Sequence, residues 1–255
     1  MDKLLTTIER RNLQLEMLDE IHKVCVDNGI RYSLSCGTLL GAIRHGGFIP
    51  WDDDVDIMMP YADVKMFKDC LKSENIRYVD AELDNYYEWF FSRVISKNTY
   101  TKPGKFLKGH GVFIDLYPVV RIPNNDNEID SFLEEGDALK NICFNALKWR
   151  RRLSRFFSLP SYPGYRKTLY HLTKHIYQFA AVDSNTYFVT SGSFNKINVF
   201  KRDLFEDIIT IKFEDRLYNI CSCYDYYLSH VYGDYMTPPP ENQRIPYHGG
   251  RYYWK

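Results

Sequence analysis

The sequence predicts a mixed α/β (α+β) fold, a small sheet with flanking helices and a helical insertion. Two observations carry this. Amphipathic stretches of helical period alternate with short apolar segments through the first 120 or so residues, and short strands return after about residue 205. Between them the pattern is mostly helical, and no internal repeat divides the chain, so 1–255 reads as one domain with a helical elaboration at about 125–200.

The elements follow in order. Leu4, Ile8, Leu15, Leu18, Ile21 and Cys25 recur at helical steps, which predicts a helix over 4–27 that stops at Asn28-Gly29. Residues 30–34 form a short strand, and Cys36-Gly37-Thr38 turns into a short helix ending near Ile43. Residues 44–51 are a loop, 54–59 a strand and 61–72 a helix. Further strands are expected at 76–80, 89–95 and 112–117. Residues 128–157 are helical and increasingly basic, Ser158 to Gly164 breaks that helix, and another covers about 165–180. Strands at 208–213 and 217–221 flank Glu214-Asp215-Arg216 as a hairpin, 224–232 is helical, and the tail from Gly233 reads as irregular.

Composition excludes some classes. With 33 basic and 33 acidic residues the net charge is zero, which argues against a nucleic-acid binder. Six scattered cysteines lack zinc-ribbon spacing and fit a reduced, cytoplasmic chain. Met1 to Arg11 is too polar for a signal peptide, and no apolar run is long enough to cross a bilayer. The helix 144–157 sets Lys148, Arg150, Arg151, Arg152 and Arg155 beside Phe144, Leu147, Phe156 and Phe157. A solvated face over a packed one is the plainer reading, and peripheral contact with the inner face of a membrane is the functional one.

The richest stretch is Trp51-Asp-Asp-Asp-Val-Asp-Ile-Met-Met59. Strand side chains alternate, so Asp54 and Asp56 share one face while Val55, Ile57 and Met59 take the other. Two carboxylates with Cα atoms roughly 6–7 Å apart converge on one hard cation, and without it one of them takes up a proton near neutral pH. Oxygen ligands of this kind suit Mg²⁺ or Mn²⁺, which also bind phosphates. Upstream, Gly37-Thr38 opens a helix directly after a strand, where backbone N–H groups and the Thr38 hydroxyl can meet a phosphate. A turn of this kind followed by a strand bearing two acids is the layout of polymerase-β-like nucleotidyltransferases.

The run Leu34-Ser-Cys-Gly-Thr-Leu-Leu-Gly-Ala-Ile-Arg-His-Gly-Gly-Phe-Ile-Pro-Trp-Asp-Asp-Asp-Val-Asp56 closely resembles the signature of the LicD family, phosphocholine transferases related to fukutin-related protein. Gly111-Val-Phe-Ile-Asp-Leu-Tyr-Pro118 resembles that family's second acidic strand, and Tyr232-Gly-Asp-Tyr-Met-Thr-Pro-Pro239 with Arg244 and His248 resembles its C-terminal motif. Residues of about 15–120 and 205–250 carry the resemblance, the middle matches loosely, and Cys36 stands where many relatives have Gly.

The resemblance implies a nucleotidyltransferase-like fold and a CDP-alcohol donor, CDP-choline first, whose phospho-alcohol passes to a sugar hydroxyl of a glycan such as lipopolysaccharide, teichoic acid or capsule. The acceptor can be lipid-linked. Asp54, Asp56 and Asp115 are then the expected metal ligands and catalytic acids, with Asp115 alternatively a general base. Gly37, Thr38, Arg44, His45, Trp51, Arg244 and His248 are the expected donor- and phosphate-binding residues. Other CDP-polyols (ribitol or glycerol), nucleotidyl transfer and a non-catalytic nucleotide-binding module are the competing readings.

Overall fold

The computed structural model describes residues 2–84, 87–102, 110–153, 163–245 and 250–255. The first helix, α1 (Thr7–Asp27), opens on a capping box. Thr6 Oγ1 accepts from Glu9 N at 3.1 Å, and the Glu9 carboxylate accepts from Thr6 N at 2.9 Å. Its apolar stripe buries Leu15, Leu18, Ile21 and Cys25. The expected start at residue 4 is three residues early, because Leu4 and Leu5 are extended and pair with the far end of the chain.

The elements then run β1 (Ser33–Leu34), α2 (Cys36–His45), β2 (Asp56–Pro60), α3 (Tyr61–Cys70), β3 (Ile76–Val79), β4 (Ser92–Ser96), β5 (Thr99–Thr101) and β6 (Phe113–Ile122). After them come α4 (Asp126–Leu153), α5 (Pro163–Tyr177), β7 (Thr186–Val189), β8 (Val199–Phe200), β9 (Ile208–Phe213), β10 (Arg216–Cys221), α6 (Tyr224–Tyr232) and β11 (Tyr252–Trp254). The seven-stranded sheet has the order β1-β2-β6-β4-β3, with β7 pairing β6 and β8. β2 and β6 run parallel, and the other recorded pairings are antiparallel. The arrangement is the expected mixed α+β one, a mixed sheet with flanking helices.

The pairing of β2 with β6 positions the site. Both strands are buried on both faces, with Ile57, Met58, Met59, Ile114 and Leu116 fully enclosed, and α1 and α3 pack on β6. The helical insertion is present as α4 and α5, which pack against each other. Of the basic stretch 144–157, the side chains of 149–153 and all of 154–157 lie outside the described residues.

Four differences from the expected elements have physical causes. β6 continues through Pro118, where 117 was the expected end. Proline lacks only the donor, and the Pro118 carbonyl still accepts from Thr190 N and Oγ1. β4 starts at Ser92 instead of 89, because Trp89, Phe90 and Phe91 pack as an aromatic cluster instead of extending the ladder. β7 and β8 are four and two residues long and are held by non-local partners. The tail is not wholly irregular, since β11 pairs antiparallel with β5 and Tyr253 bridges to Leu4.

Candidate active site

The parallel register sets Asp56 directly opposite Asp115. Asp54 stands two residues before Asp56, and carboxylate oxygens of Asp54, Asp56 and Asp115 lie within 4.8 Å of one another. Asp56 and Asp115 are buried at 5% and 2% exposure, while Asp54 is half-buried. Tyr117, next on the same face of β6, donates to Asp56 Oδ1 at 3.0 Å and reaches Asp115 Oδ2 at 3.5 Å. From β4, Arg93 faces Asp115 in register and forms a buried ion pair with it, Nε to Oδ1 and Nη2 to Oδ2.

The electrostatics follow from burial and like charge. Burial first, then the charges of Asp54, Asp115 and Asp52, push the Asp56 carboxyl well above the usual carboxylate range. Burial and then Asp54 push Asp52 up to about 7. The cluster therefore favours an added cation over its bare charged state. Its donor set is oxygen only, anionic and convergent, which fits a hard divalent ion.

The segment before α2 and its first turn hold the acidic strand in place. Thr38 Oγ1 accepts from Asp56 N at 2.8 Å, and Ser35 N donates to Asp56 O at 3.0 Å. Thr38 is buried at 4% exposure, and its hydroxyl oxygen is engaged with the Asp56 backbone. Gly37 lines the cleft, and a side chain there would run into Asp52 Oδ2. The glycine is needed for that close approach. Cys36 has φ 45°, in the left-handed region that favours glycine.

Arg11 and Arg10 of α1 fix the loop leading into β2. Arg11 Nη2 donates to the carbonyls of Ile49, Pro50 and Asp52, at 3.0, 3.1 and 3.2 Å, and Arg10 lies 3.6 Å from the Asp53 carboxylate.

The acids open into a cleft of about 560 Å³. Cys36, Gly37, Arg44, Trp51, Asp52, Asp54 and Asp56 line one side, and Tyr232, Asp234, Tyr235, Thr237, Pro239 and Ile245 line the other. The tail thus folds back over the cleft. Arg44 Nη1 donates to Tyr235 O at 2.7 Å, and the Arg244 guanidinium stacks 5.1 Å from the Trp51 ring while its Nε donates to Pro239 O. His45 is exposed and packs edge-on against Trp51, and it does not line the cleft. His248 lies outside the described residues.

The structure therefore brings Asp54, Asp56, Asp115, Gly37, Arg44, Trp51 and Arg244 to one place. It adds Asp52, Arg93 and Tyr117, which the sequence reading did not single out. Asp52 was signalled by the same alternation that pairs Asp54 with Asp56. Tyr117 was signalled by its shared face with Asp115. Nothing local marked Arg93.

A family model described as LicD/FKTN/FKRP, nucleotidyltransferase domain, matches residues 29–160, about half of the chain and all three clustered acids. The chain belongs to the LicD family. The lipopolysaccharide cholinephosphotransferase LicD of Haemophilus influenzae is 29% identical over 260 residues, covering 96% of this chain and 97% of that protein. The ribitol 5-phosphate transferase FKRP of Mus musculus and that of Homo sapiens are each 58% identical over 36 residues, 14% of this LicD-family chain and 7% of those proteins. The mixed sheet with flanking helices is accordingly a nucleotidyltransferase-like domain.

Proposed function

We propose that this chain is a phosphotransferase for substituted phosphate groups that moves phosphocholine from CDP-choline onto a hydroxyl of a cell-surface glycan. The observation that carries the chemistry is the convergence of Asp54, Asp56 and Asp115 beside an open cleft. The near full-length likeness to a lipopolysaccharide cholinephosphotransferase supports the group transferred and the kind of acceptor.

Asp54, Asp56 and Asp115 would hold Mg²⁺ (or Mn²⁺), which when bound neutralises the donor's diphosphate charge. Tyr117 orients Asp56 by donating to Oδ1, and Thr38 fixes the backbone beneath it. Arg93 is paired with Asp115 in a buried ion pair, which suits a metal ligand better than a base. Arg44 in the cleft supplies positive charge towards the donor phosphates, and Trp51, steadied by Arg244, forms a flat wall for the nucleotide. The acceptor oxygen forms the new bond to the distal phosphorus, the bond to CMP breaks, and the hydroxyl proton leaves to a base or water in the cleft.

The 36-residue likeness to ribitol 5-phosphate transferases favours CDP-ribitol as a second donor reading. No described helix is long and apolar enough to cross a membrane. A cytoplasmic place, with peripheral contact at the inner membrane face for a lipid-linked acceptor, completes the proposal.

The test uses purified protein, CDP-choline, Mg²⁺ and a lipopolysaccharide-derived acceptor. CMP release coupled to acceptor labelling is expected, and it should disappear in Asp54→Asn and Asp56→Asn while circular dichroism is unchanged. Undiminished turnover in either variant removes the metal assignment. Release with CDP-ribitol but not CDP-choline selects the second donor.

A further inference from the structure

The connection from α2 to β2 carries two groups assigned to the donor, Arg44 in the last turn of α2 and Trp51 in the loop that follows. Whatever holds this loop is therefore part of how the donor is bound. Two sets of hydrogen bonds do so. Arg11 takes the carbonyls of Ile49, Pro50 and Asp52 from the α1 side. From the other side comes Glu214, a residue that does not line the cleft.

Glu214 is the first of the two residues in the tight turn between β9 and β10, and it sits at φ 55°. Hairpin turns usually give such a position to glycine or asparagine, because a larger side chain is strained there. Here the residue makes two bonds across to the loop. Its N–H donates to Gly46 O at 2.8 Å, and its carboxylate Oε1 accepts from Phe48 N at 2.9 Å. Gly47 lies between those two contacts, so close that a β-carbon on it would collide with the Glu214 carboxylate. The adjoining rings of Phe48 and Phe213 pack edge-on with centres 5.0 Å apart. The hairpin that presents Glu214 is itself fixed. Arg216 Nη1 and the Tyr218 hydroxyl donate to the Asp19 carboxylate of α1, at 2.6 and 2.7 Å, and Cys221 N donates to Ser33 Oγ of β1 at 2.9 Å. A strained backbone kept at the point where it makes paired contacts to a loop marks a geometric requirement.

We propose that Glu214 is a positioning residue of the donor site: through Gly46 and Phe48 it sets the loop that places Arg44 and Trp51 in the cleft. The inference rests on the transferase reading above and adds to it a residue outside the cleft lining. Glu214 is exposed, so its bond to Phe48 contributes little to folding. Its effect falls on where the two donor-binding side chains stand, and a small misplacement of such groups is costly.

The test uses the full chain with Mg²⁺. It measures binding of CDP-choline and of CDP-ribitol by titration calorimetry, initial rates with the lipopolysaccharide-derived acceptor, and Tm. Glu214→Ala removes the acceptor of the Phe48 N–H, so it should weaken binding of the CDP donor and raise its KM about fivefold. The acceptor KM, kcat and Tm should stay near wild type. Glu214→Gln keeps an oxygen acceptor and should bind the donor as wild type does. Gly47→Ala pushes the carboxylate away and should reproduce the Glu214→Ala loss. Unchanged donor binding in Glu214→Ala overturns the proposal, as does a loss confined to Tm or kcat. Failure of Glu214→Gln to restore binding overturns the hydrogen-bonded role. A wild-type chain that binds a CDP donor without turnover overturns the transferase reading alone, since donor binding by the variants still decides the role of Glu214. A wild-type chain that binds neither CDP donor overturns both.

Discussion

Arg93 on β4 and Asp115 on β6 face each other in antiparallel register and form an ion pair almost closed to solvent. The Arg93 guanidinium also lies 3.8 Å from the Phe113 ring centre and 5.3 Å from that of Trp89. One of the three clustered acids is thus anchored to the sheet by its own counterion.

Removing that counterion leaves a buried carboxylate uncompensated. Arg93→Met should lower unfolding stability by about 3–5 kcal/mol, read from urea melts. Mg²⁺ should restore part of the loss, because it supplies the missing positive charge. A variant as stable as wild type, with or without Mg²⁺, would remove the anchoring role.

The raised acids give stability a definite pH slope. Asp52 and Asp56 hold protons in the folded chain at pH values where the unfolded chain has lost them. In metal-free protein the contribution of these two groups should therefore be fully present below about pH 4, the unfolded carboxylate range, and be lost as pH rises towards about 7, where Asp52 ionises. Mg²⁺ should raise Tm more at pH 7.5 than at pH 5, since it competes with those protons. Calorimetry across pH 4.5–8 with and without Mg²⁺ reads both, and a metal-induced shift independent of pH would contradict the cluster.

Thr38 carries a second, purely positional contribution. Thr38→Val keeps the shape but leaves the buried Asp56 N–H without its acceptor, so about 1–3 kcal/mol of stability should go. Turnover should fall with it, and Thr38→Ser should recover most of both. Loss of turnover with full stability would instead indicate direct contact with the donor.

The Trp51 and Arg244 stack predicts an effect on the donor alone. Trp51→Leu or Arg244→Ala should raise KM for the CDP donor about tenfold, with kcat nearly unchanged and KM for the acceptor unmoved. Initial-rate kinetics with each substrate varied in turn decides this. A fall confined to kcat would place the pair elsewhere in the cycle.

Much of the site was legible because its signals are local. Alternation alone put Asp54 and Asp56 on one face and paired Asp115 with Tyr117. The parallel register that brings Asp56 to Asp115 could not be read from either strand, since it depends on β2 and β6 lying side by side. Arg93 was hidden for the same reason, being an unremarkable strand residue until β4 closes on β6. Thr38 and Gly37 were marked as positions for phosphate contact, and the structure adds a constraint on each from inside the chain. That constraint comes from Asp56 and Asp52 respectively. β7, β8 and β11 were missed because short strands are decided by distant partners and not by their own propensity.

The pairing of β11 with β5, and of Leu4 with Tyr253, has a consequence in time. These are among the longest-range contacts in the chain, and contacts of large sequence separation are slow to form. The cleft wall at 232–245 lies between α6 and β11, so that late pairing adds a tether to those from Arg44 to Tyr235 and from Arg244 to Trp51. During refolding, far-ultraviolet ellipticity should therefore recover before activity does, and the acidic cluster should bind metal before the finished cleft can hold a donor.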